Sequence, residues 1–279
     1  MGILELPEIE TLKRDLERET ATKKIKSAEA VVLKSLPGIK QKKDFGEHLV
    51  GAKVVNTTRD GLHLLIHLDN EYNIVIALGE NGRLERVAGR EKQASDIIAI
   101  ISFTQGGDLR IGDKEGSSTV QVVHNDDLAE ALPNPEDVGL DLLEHPLSWI
   151  EFGRMMKAKK SALKLLLTDP GVFVGIGDIY SNEILFDAGL RHDRASAELS
   201  TQEIRRLYRS VVGIMHDAIK YRGTSLEDRP FVDLTGTPGE FADHLAVYGK
   251  AGQLSPRSRE PIQKTSFKHQ VVFYCNTQV

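Results

Sequence analysis

The sequence contains a single cysteine, Cys275, in 279 residues. One thiol excludes an internal disulfide and any metal site built from several cysteines. Long apolar runs are also absent, since no stretch reaches the ~18 apolar residues that a membrane span requires, and the first residues show no apolar signal segment. We therefore expect a cytoplasmic protein without a membrane partner.

The sequence also lacks an excess of basic residues. The chain has 36 Lys and Arg against 41 Asp and Glu, which gives a net charge of −5. Proteins that grip duplex DNA usually carry a basic surface, because neutralising phosphates supplies much of their affinity. The overall charge therefore gives no support for DNA binding, and only a local basic face would favour it.

Short apolar runs dominate the first half of the chain. Residues 5–20 place Leu6, Ile9, Leu12 and Leu16 at helical spacing, which predicts an N-terminal helix. The runs that follow are separated by glycine- and aspartate-containing turns, which favours a β-sandwich over residues 1–125. The predicted strands begin near Val31–Leu33 and continue at Leu49–Thr57, Leu62–Leu68, Asn73–Leu78, Ile97–Phe103 and Thr119–Val123.

Helical patterns dominate the second half, after a proline-containing linker at residues 126–150. Residues 161–167 and 202–222 predict helices within a domain at 151–235, and residues 236–279 predict a small β-hairpin. Between those helices, Gly175-Ile176-Gly177-Asp178 opens another helix, with Asp178 predicted as its N-cap. Exposed N–H groups beside glycines suit a phosphate. The alternative is a turn between two core helices.

Three blocks of the sequence resemble the formamidopyrimidine-DNA glycosylase / endonuclease VIII family. They are Leu4–Thr11, the segment from Lys159 to Leu190 that includes Gly175–Tyr180, and Phe241–Gly252 with its Val247-Tyr248-Gly249-Lys250 motif. The resemblance implies an α+β fold: an N-terminal helix plus β-sandwich domain, then a helical helix-two-turns-helix domain that ends in a β-hairpin finger. It also implies excision of an oxidised base followed by strand cleavage.

The catalytic groups of that family are not all present. Its nucleophile is the amine of an N-terminal proline, and an adjoining glutamate is the acid/base. The matching positions hold Leu4, whose nitrogen lies in a peptide bond, and Glu5; Met1-Gly2-Ile3 precede them. A hairpin lysine of the family is replaced by Leu62. We expect no catalytic residue here.

The positions that hold DNA in the family are altered as well. Glu80 stands where the family inserts a methionine into the base stack, and residues 112–117 contain no arginine and aromatic pair to assist it. The asparagine that donates to a DNA phosphate is replaced by Asp178. In the finger, the four zinc cysteines correspond to Ser255, Ser258, Cys275 and Gln278, and Gln270 stands at the arginine position. Zinc, and any other cofactor, is therefore not expected.

Two functions remain open on this reading. The first is a catalytically inactive paralogue that acts by binding DNA, another nucleic acid or a protein. The alternative is a weak glycosylase or abasic-site lyase that uses Gly2 or a lysine amine. The basic clusters around residues 157–164 and 40–43 offer phosphate contacts, although solvated surface lysines are the simpler interpretation. The candidate nucleic-acid-binding residues are Lys159, Lys160, Gly177, Asp178, Tyr248 and Lys250.

Overall fold

The computed structural model describes residues 4–88 and 94–279. Gly2 and the rest of the Met1–Ile3 segment, which bear on the predicted chemistry, lie outside the described residues. The chain divides into two compact units. The first extends to Pro135 and includes Arg222–Gly239, and the second consists of Glu136–Tyr221 and Glu240–Val279.

The first unit opens with helix α1, Leu6–Thr20, as the periodicity predicted. Glu5 and Glu8 form a capping box at its start, and Pro7 occupies a first-turn position where no backbone donor is lost. Ile9, Leu12 and Leu16 are fully buried on one face. That face joins the hydrophobic core of the first unit.

Two antiparallel sheets enclose this core. One sheet has the strand order β1-β6-β7-β5 and the other β2-β3-β4-β8. Side chains from both sheets and from α1 meet in one apolar cluster, which confirms the predicted helix-plus-sandwich architecture. The strands are β1 Ile25–Ala30, β2 Val54–Asp60, β3 His63–Leu68, β4 Tyr72–Ala77, β5 Gly82–Val87, β6 Ile97–Phe103, β7 Asp108–Asp113 and β8 Thr119–His124, with the short helix α2 at Leu128–Ala131.

Some predicted strand positions were wrong. The first strand lies at Ile25–Ala30, before the predicted Val31–Leu33, which leads into a 3-10 turn at Leu33–Ser35. Strand β2 begins at Val54 instead of Leu49. Strands β5 and β7 were not predicted. They carry charged residues between their buried ones and pair with each other across the sheet, so their apolar runs are short.

The residues 222–239 return to the first unit, whereas the sequence placed a domain boundary at 235/236. Arg222 bonds to Asp15 at 2.6 Å and also to Asp233. The Thr224 N–H donates to a Glu8 carboxylate oxygen at 2.8 Å, and the Arg86 N–H donates to the Leu234 carbonyl at 2.7 Å. Bonds to α1 and β5 thus hold this segment against the sandwich.

The second unit contains helices α3 Trp149–Lys159, α4 Leu163–Leu167, α5 Asp178–Ala188 and α6 Thr201–Lys220, followed by the hairpin β9 Gln263–Phe267 and β10 Gln270–Tyr274. Helix α6 confirms the helix predicted over 202–222, and it buries Ile204, Leu207, Val211 and Met215 on one face. Its N-cap is Ser200, in a capping box with Glu203. Within the described residues, no helix combines the length and apolarity that a bilayer crossing needs.

Candidate functional site

The start of α1 holds Leu4 and Glu5, the two residues that the resemblance matches to the nucleophile and the acid/base of the family. Leu4 is partly buried and packs against the core of the first unit. Glu5 is buried, and its N–H donates to the Glu8 carboxylate at 3.1 Å. The Glu5 carboxylate lies 3.9 Å from a guanidinium nitrogen of Arg229. The residue at the nucleophile position therefore contributes an amide nitrogen and an apolar side chain, and the adjoining glutamate starts a helix.

Leu62, the residue predicted to replace the family's hairpin lysine, lies in the turn between β2 and β3. The turn is closed by Arg59, which donates to the Gly61 carbonyl at 2.9 Å and to Glu10 at 3.1 Å. Leu62 is partly buried and packs against the core cluster. A leucine leaning on the core offers no donor to a phosphate.

Two loops of the first unit contain the residues predicted to stand at the wedge positions, and a hydrogen bond joins the loops. The Gly79 N–H, beside Glu80, donates to the Ser118 hydroxyl at 2.9 Å. Asp113 accepts from the N–H groups of Glu115 and Gly116 at 2.8 and 2.9 Å and from that of Ser118. Burial opposes ionisation of Asp113, but these hydrogen bonds lower its pKa to about 2. A permanent anion therefore organises the second loop.

A cleft of about 230 Å³ joins the nucleophile position to these loops. Its lining includes Leu4, Glu80 and Lys114 together with the Arg83–Asp96 ion pair. Among the described lining residues, Lys114 supplies the only primary amine. The charges in the cleft are balanced, so the cleft is not a basic groove.

In the second unit, Asp178 does not cap α5 as predicted. The helix begins at Asp178 and its N-cap is Gly177, because the aspartate side chain turns to another partner. That partner is Lys164, whose amino group lies 3.2 Å from the Asp178 carboxylate and 2.7 Å from the Ser181 hydroxyl. Lys164 is fully buried. The ion pair offsets the negative charge of Asp178 and so reduces the repulsion between this carboxylate and a phosphate.

The other predicted phosphate ligands differ in their availability. Lys159 and Lys160 are exposed at the end of α3, where Lys160 adopts a left-handed conformation. Lys250, in contrast, donates its amino group to the Leu245 carbonyl. The Tyr248 ring packs edge-on against Phe273 with 5.1 Å between ring centres. Of these four residues, the two lysines of α3 are the freest to meet an anion.

Glu183 fixes the segment that precedes the finger. Its carboxylate accepts the N–H groups of Ala246, Val247 and Tyr248 at 2.7, 2.9 and 2.7 Å. Burial raises the pKa of Glu183, and the three N–H donors oppose that shift. The sequence analysis did not assign a role to this glutamate. Its place among the apolar residues of α5 indicated that its carboxylate is buried and needs hydrogen-bond donors.

The four positions that correspond to zinc ligands are used by the protein itself. Gln278 accepts from the Cys275 N–H and donates to the Leu190 carbonyl, both at 2.8 Å. Ser255 accepts from the N–H groups of Arg257 and Ser258 at 3.2 and 3.4 Å. One thiol, two hydroxyls and an amide do not suit zinc. Within residues 4–88 and 94–279, no group of three or more His, Cys, Asp or Glu side chains is arranged to hold a metal ion.

Comparison with known proteins identifies the family. Residues 3–120 match the formamidopyrimidine-DNA glycosylase N-terminal domain, and residues 138–229 match the formamidopyrimidine-DNA glycosylase H2TH domain. The chain is 31% identical over 263 residues to the formamidopyrimidine-DNA glycosylase of Moorella thermoacetica, and the match covers 93% of both chains. The chain belongs to the formamidopyrimidine-DNA glycosylase family. The relative from Pelotomaculum thermopropionicum is 29% identical over 273 residues, or 98% of each chain.

Solved structures support the same fold. The Lactococcus lactis Fpg in complex with abasic-site DNA superimposes with a TM-score of 0.86 over 99% of both chains, at 22% identity. The MutM (Fpg) protein of Thermus thermophilus gives a TM-score of 0.83 at 25% identity, covering 98% of this chain and 97% of that one. The resemblance predicted from three sequence blocks is thus confirmed as a formamidopyrimidine-DNA glycosylase fold.

The site also contains residues that the sequence analysis did not assign. Lys114 was not predicted in the cleft beside Leu4, because the two positions are distant in the chain. Lys164 was grouped with exposed lysines, although its apolar neighbours in Leu163–Leu167 indicated burial. Neither arrangement follows from local pattern alone.

Proposed function

We propose that this protein is a catalytically inactive member of the formamidopyrimidine-DNA glycosylase family that acts by binding. The observation that carries the proposal is the start of α1: Leu4 has an amide nitrogen and packs on the core, and Glu5 begins the helix. An amide nitrogen has no basic lone pair with which to attack the sugar C1′. Leu62 and Glu80 at the hairpin and wedge positions support the same conclusion.

DNA is the first ligand to test. The Lactococcus lactis relative was solved with abasic-site DNA, and the exposed Lys159 and Lys160 remain available in this chain. Fluorescence anisotropy with an abasic-site duplex, at ~50 mM and ~200 mM salt, measures binding and its salt dependence. K159E/K160E is expected to weaken binding, and K24E/K26E, at two exposed lysines outside the candidate set, serves as the charge-matched comparison. Absence of binding at low salt would leave a protein as the partner.

The finger of this protein is proposed to fold without zinc. The support is the Cys275–Gln278 hydrogen-bonded closure, in which Gln278 bonds to two buried backbone groups. These groups need no metal to be satisfied. The finger then depends on packing and hydrogen bonds alone.

A second candidate function is favoured by one observation, the Lys114 amine in the cleft beside Leu4. A neutral lysine amine can condense with the aldehyde of an abasic site, losing water to form a Schiff base, and borohydride reduces that imine to a stable secondary amine. Borohydride trapping on abasic-site DNA therefore separates the two functions. We expect no adduct. An adduct that disappears in K114A, while K40A retains it, would establish the lyase and refute inactivity.

A further inference from the structure

The second unit carries a groove that plays no part in the site described above. We call it the α6 groove, and its volume is about 530 Å³. Trp149 at the start of α3 forms one wall, and the first two turns of α6 form the other. Its lining residues are Trp149, Gln202, Arg205, Arg206, Tyr208 and Arg209.

Helix periodicity places the arginines of this groove on the outer face of α6. Ile204 and Leu207 turn inward and are buried, whereas Arg205, Arg206 and Arg209 are exposed. Positions 205 and 209 are one helical turn apart, and so are 206 and 209. The three guanidinium groups therefore project from one patch of surface.

The floor of the groove is aromatic, and its rings are already engaged. The Arg205 guanidinium lies 4.2 Å from the centre of the Trp149 ring. Tyr208 donates its hydroxyl to the Leu147 carbonyl at 2.7 Å, and its ring packs against Phe152 with 5.6 Å between centres.

Across the described residues, Arg205, Arg206 and Arg209 form no salt bridge. The nearest acidic residue on the helix is Glu203, which interacts with Arg206 through its charge but is bound by the Ser200 N–H at 2.8 Å and by Arg194 at 3.2 Å. In a chain of net charge −5, this groove is a local concentration of unpaired positive charge.

We propose that the α6 groove docks an acidic segment of a partner protein. Carboxylates of the segment pair with Arg206 and Arg209, whose planar guanidinium groups bind them in bidentate fashion. One aromatic or aliphatic side chain of the segment fills the apolar floor beside Trp149. Single-stranded nucleic acid suits the groove less well, because base stacking requires an aromatic face that is not already covered.

The fluorescence of Trp149 tests this proposal directly, because the chain has no other tryptophan. The probe is a blocked nine-residue peptide of glutamates with a central phenylalanine, and the control peptide has lysines in place of the glutamates. We expect a saturable change in emission with the acidic peptide only, weakened severalfold between about 50 and 300 mM salt. R206E/R209E should weaken binding at least tenfold, whereas K220E, at the far end of the same helix, should bind normally.

Other results overturn the proposal. An equal response to the lysine peptide, an undiminished response in R206E/R209E, or no response to the acidic peptide at ~1 mM would each reject an acidic segment. A response to oligothymidine without one to the peptide would assign the groove to nucleic acid. Self-association that R206E/R209E abolishes, in sedimentation of the full chain without peptide, would assign it to a second copy. The mutated side chains are exposed, and circular dichroism verifies that the variants are folded.

Discussion

Replacing Gln278 by alanine tests how the finger is held together. The side chain is 3% exposed and bonds to the Cys275 N–H and the Leu190 carbonyl, each at 2.8 Å. Leaving a buried polar group without a partner costs about 1–3 kcal/mol, so two groups set an upper range of about 2–6 kcal/mol. The space left by the side chain admits water, which restores part of the loss. We expect Q278A to destabilise the second unit by about 2–4 kcal/mol.

Thermal unfolding followed by Trp149 fluorescence measures this effect, since the tryptophan lies in the same unit. A loss of 2–4 kcal/mol corresponds to a fall in Tm of roughly 6–12 °C for a domain of this size. Q278E keeps the acceptor for the Cys275 N–H but turns a buried carboxylate oxygen toward the Leu190 carbonyl, so at pH 7 it should be at least as unstable as Q278A. Q263A removes an exposed amide from β9 and should change stability by less than about 0.5 kcal/mol. Equal effects of Q278A and Q263A would refute the reasoning.

Three further predictions concern metal, pH and packing. Dialysis against a chelator should leave Tm unchanged and metal analysis should find no stoichiometric zinc, because Cys275 has no thiolate partners; a fall in Tm that zinc reverses would contradict this. The folded-state pKa of Asp113, about 2, lies below its ordinary value of 3.8. The ionised carboxylate therefore stabilises the fold fully above pH ~4, and this stabilisation is lost as pH falls toward 2. In urea unfolding, the free energy of unfolding of D113N should lack this pH-dependent contribution. G79A should cost the first unit about 1–3 kcal/mol in urea unfolding, because its Cβ would lie 1.8 Å from the Ser117 hydroxyl, whereas G213A on open helix surface should stabilise the second unit by up to about 1 kcal/mol. Equal effects of G79A and G213A would contradict the packing argument.

Local pattern predicted the elements whose burial is regular. Helices α1 and α6 each present one apolar stripe, and β3, β4 and β6 are nearly continuous apolar runs. Strand β5 has two consecutive charged residues, Glu85 and Arg86, between the buried Leu84 and Val87, so neither an apolar run nor a strict period of two identifies it. These successes and misses both follow from how much of each strand faces the core.

Long-range pairings were beyond the reach of the sequence. The partner of Asp178 is Lys164, fourteen positions earlier, and the partner of Arg222 is Asp15 in the first helix. Similarly, the sequence predicted that Gln278 replaces a zinc cysteine, but it did not indicate the bonds from Gln278 to Cys275 and Leu190. A pattern search reports which chemical groups are present, and only the fold determines which of them meet.

The altered positions differ in which part of the family's reaction they affect. The positions that the resemblance assigns to Leu62 and Glu80 concern how tightly a duplex is held, and each phosphate or wedge contact contributes a limited share of affinity that other contacts can replace. The loss of a free amine at the Leu4 position is different. Covalent attack on the sugar requires a basic nitrogen, and no increase in affinity supplies one. A scaffold can therefore retain DNA binding while the reaction is lost, which is why trapping and binding must be measured separately. Lys114 lines the cleft beside Leu4 and carries an amine. A covalent adduct through Lys114 is therefore the result that would refute the proposal of inactivity most directly.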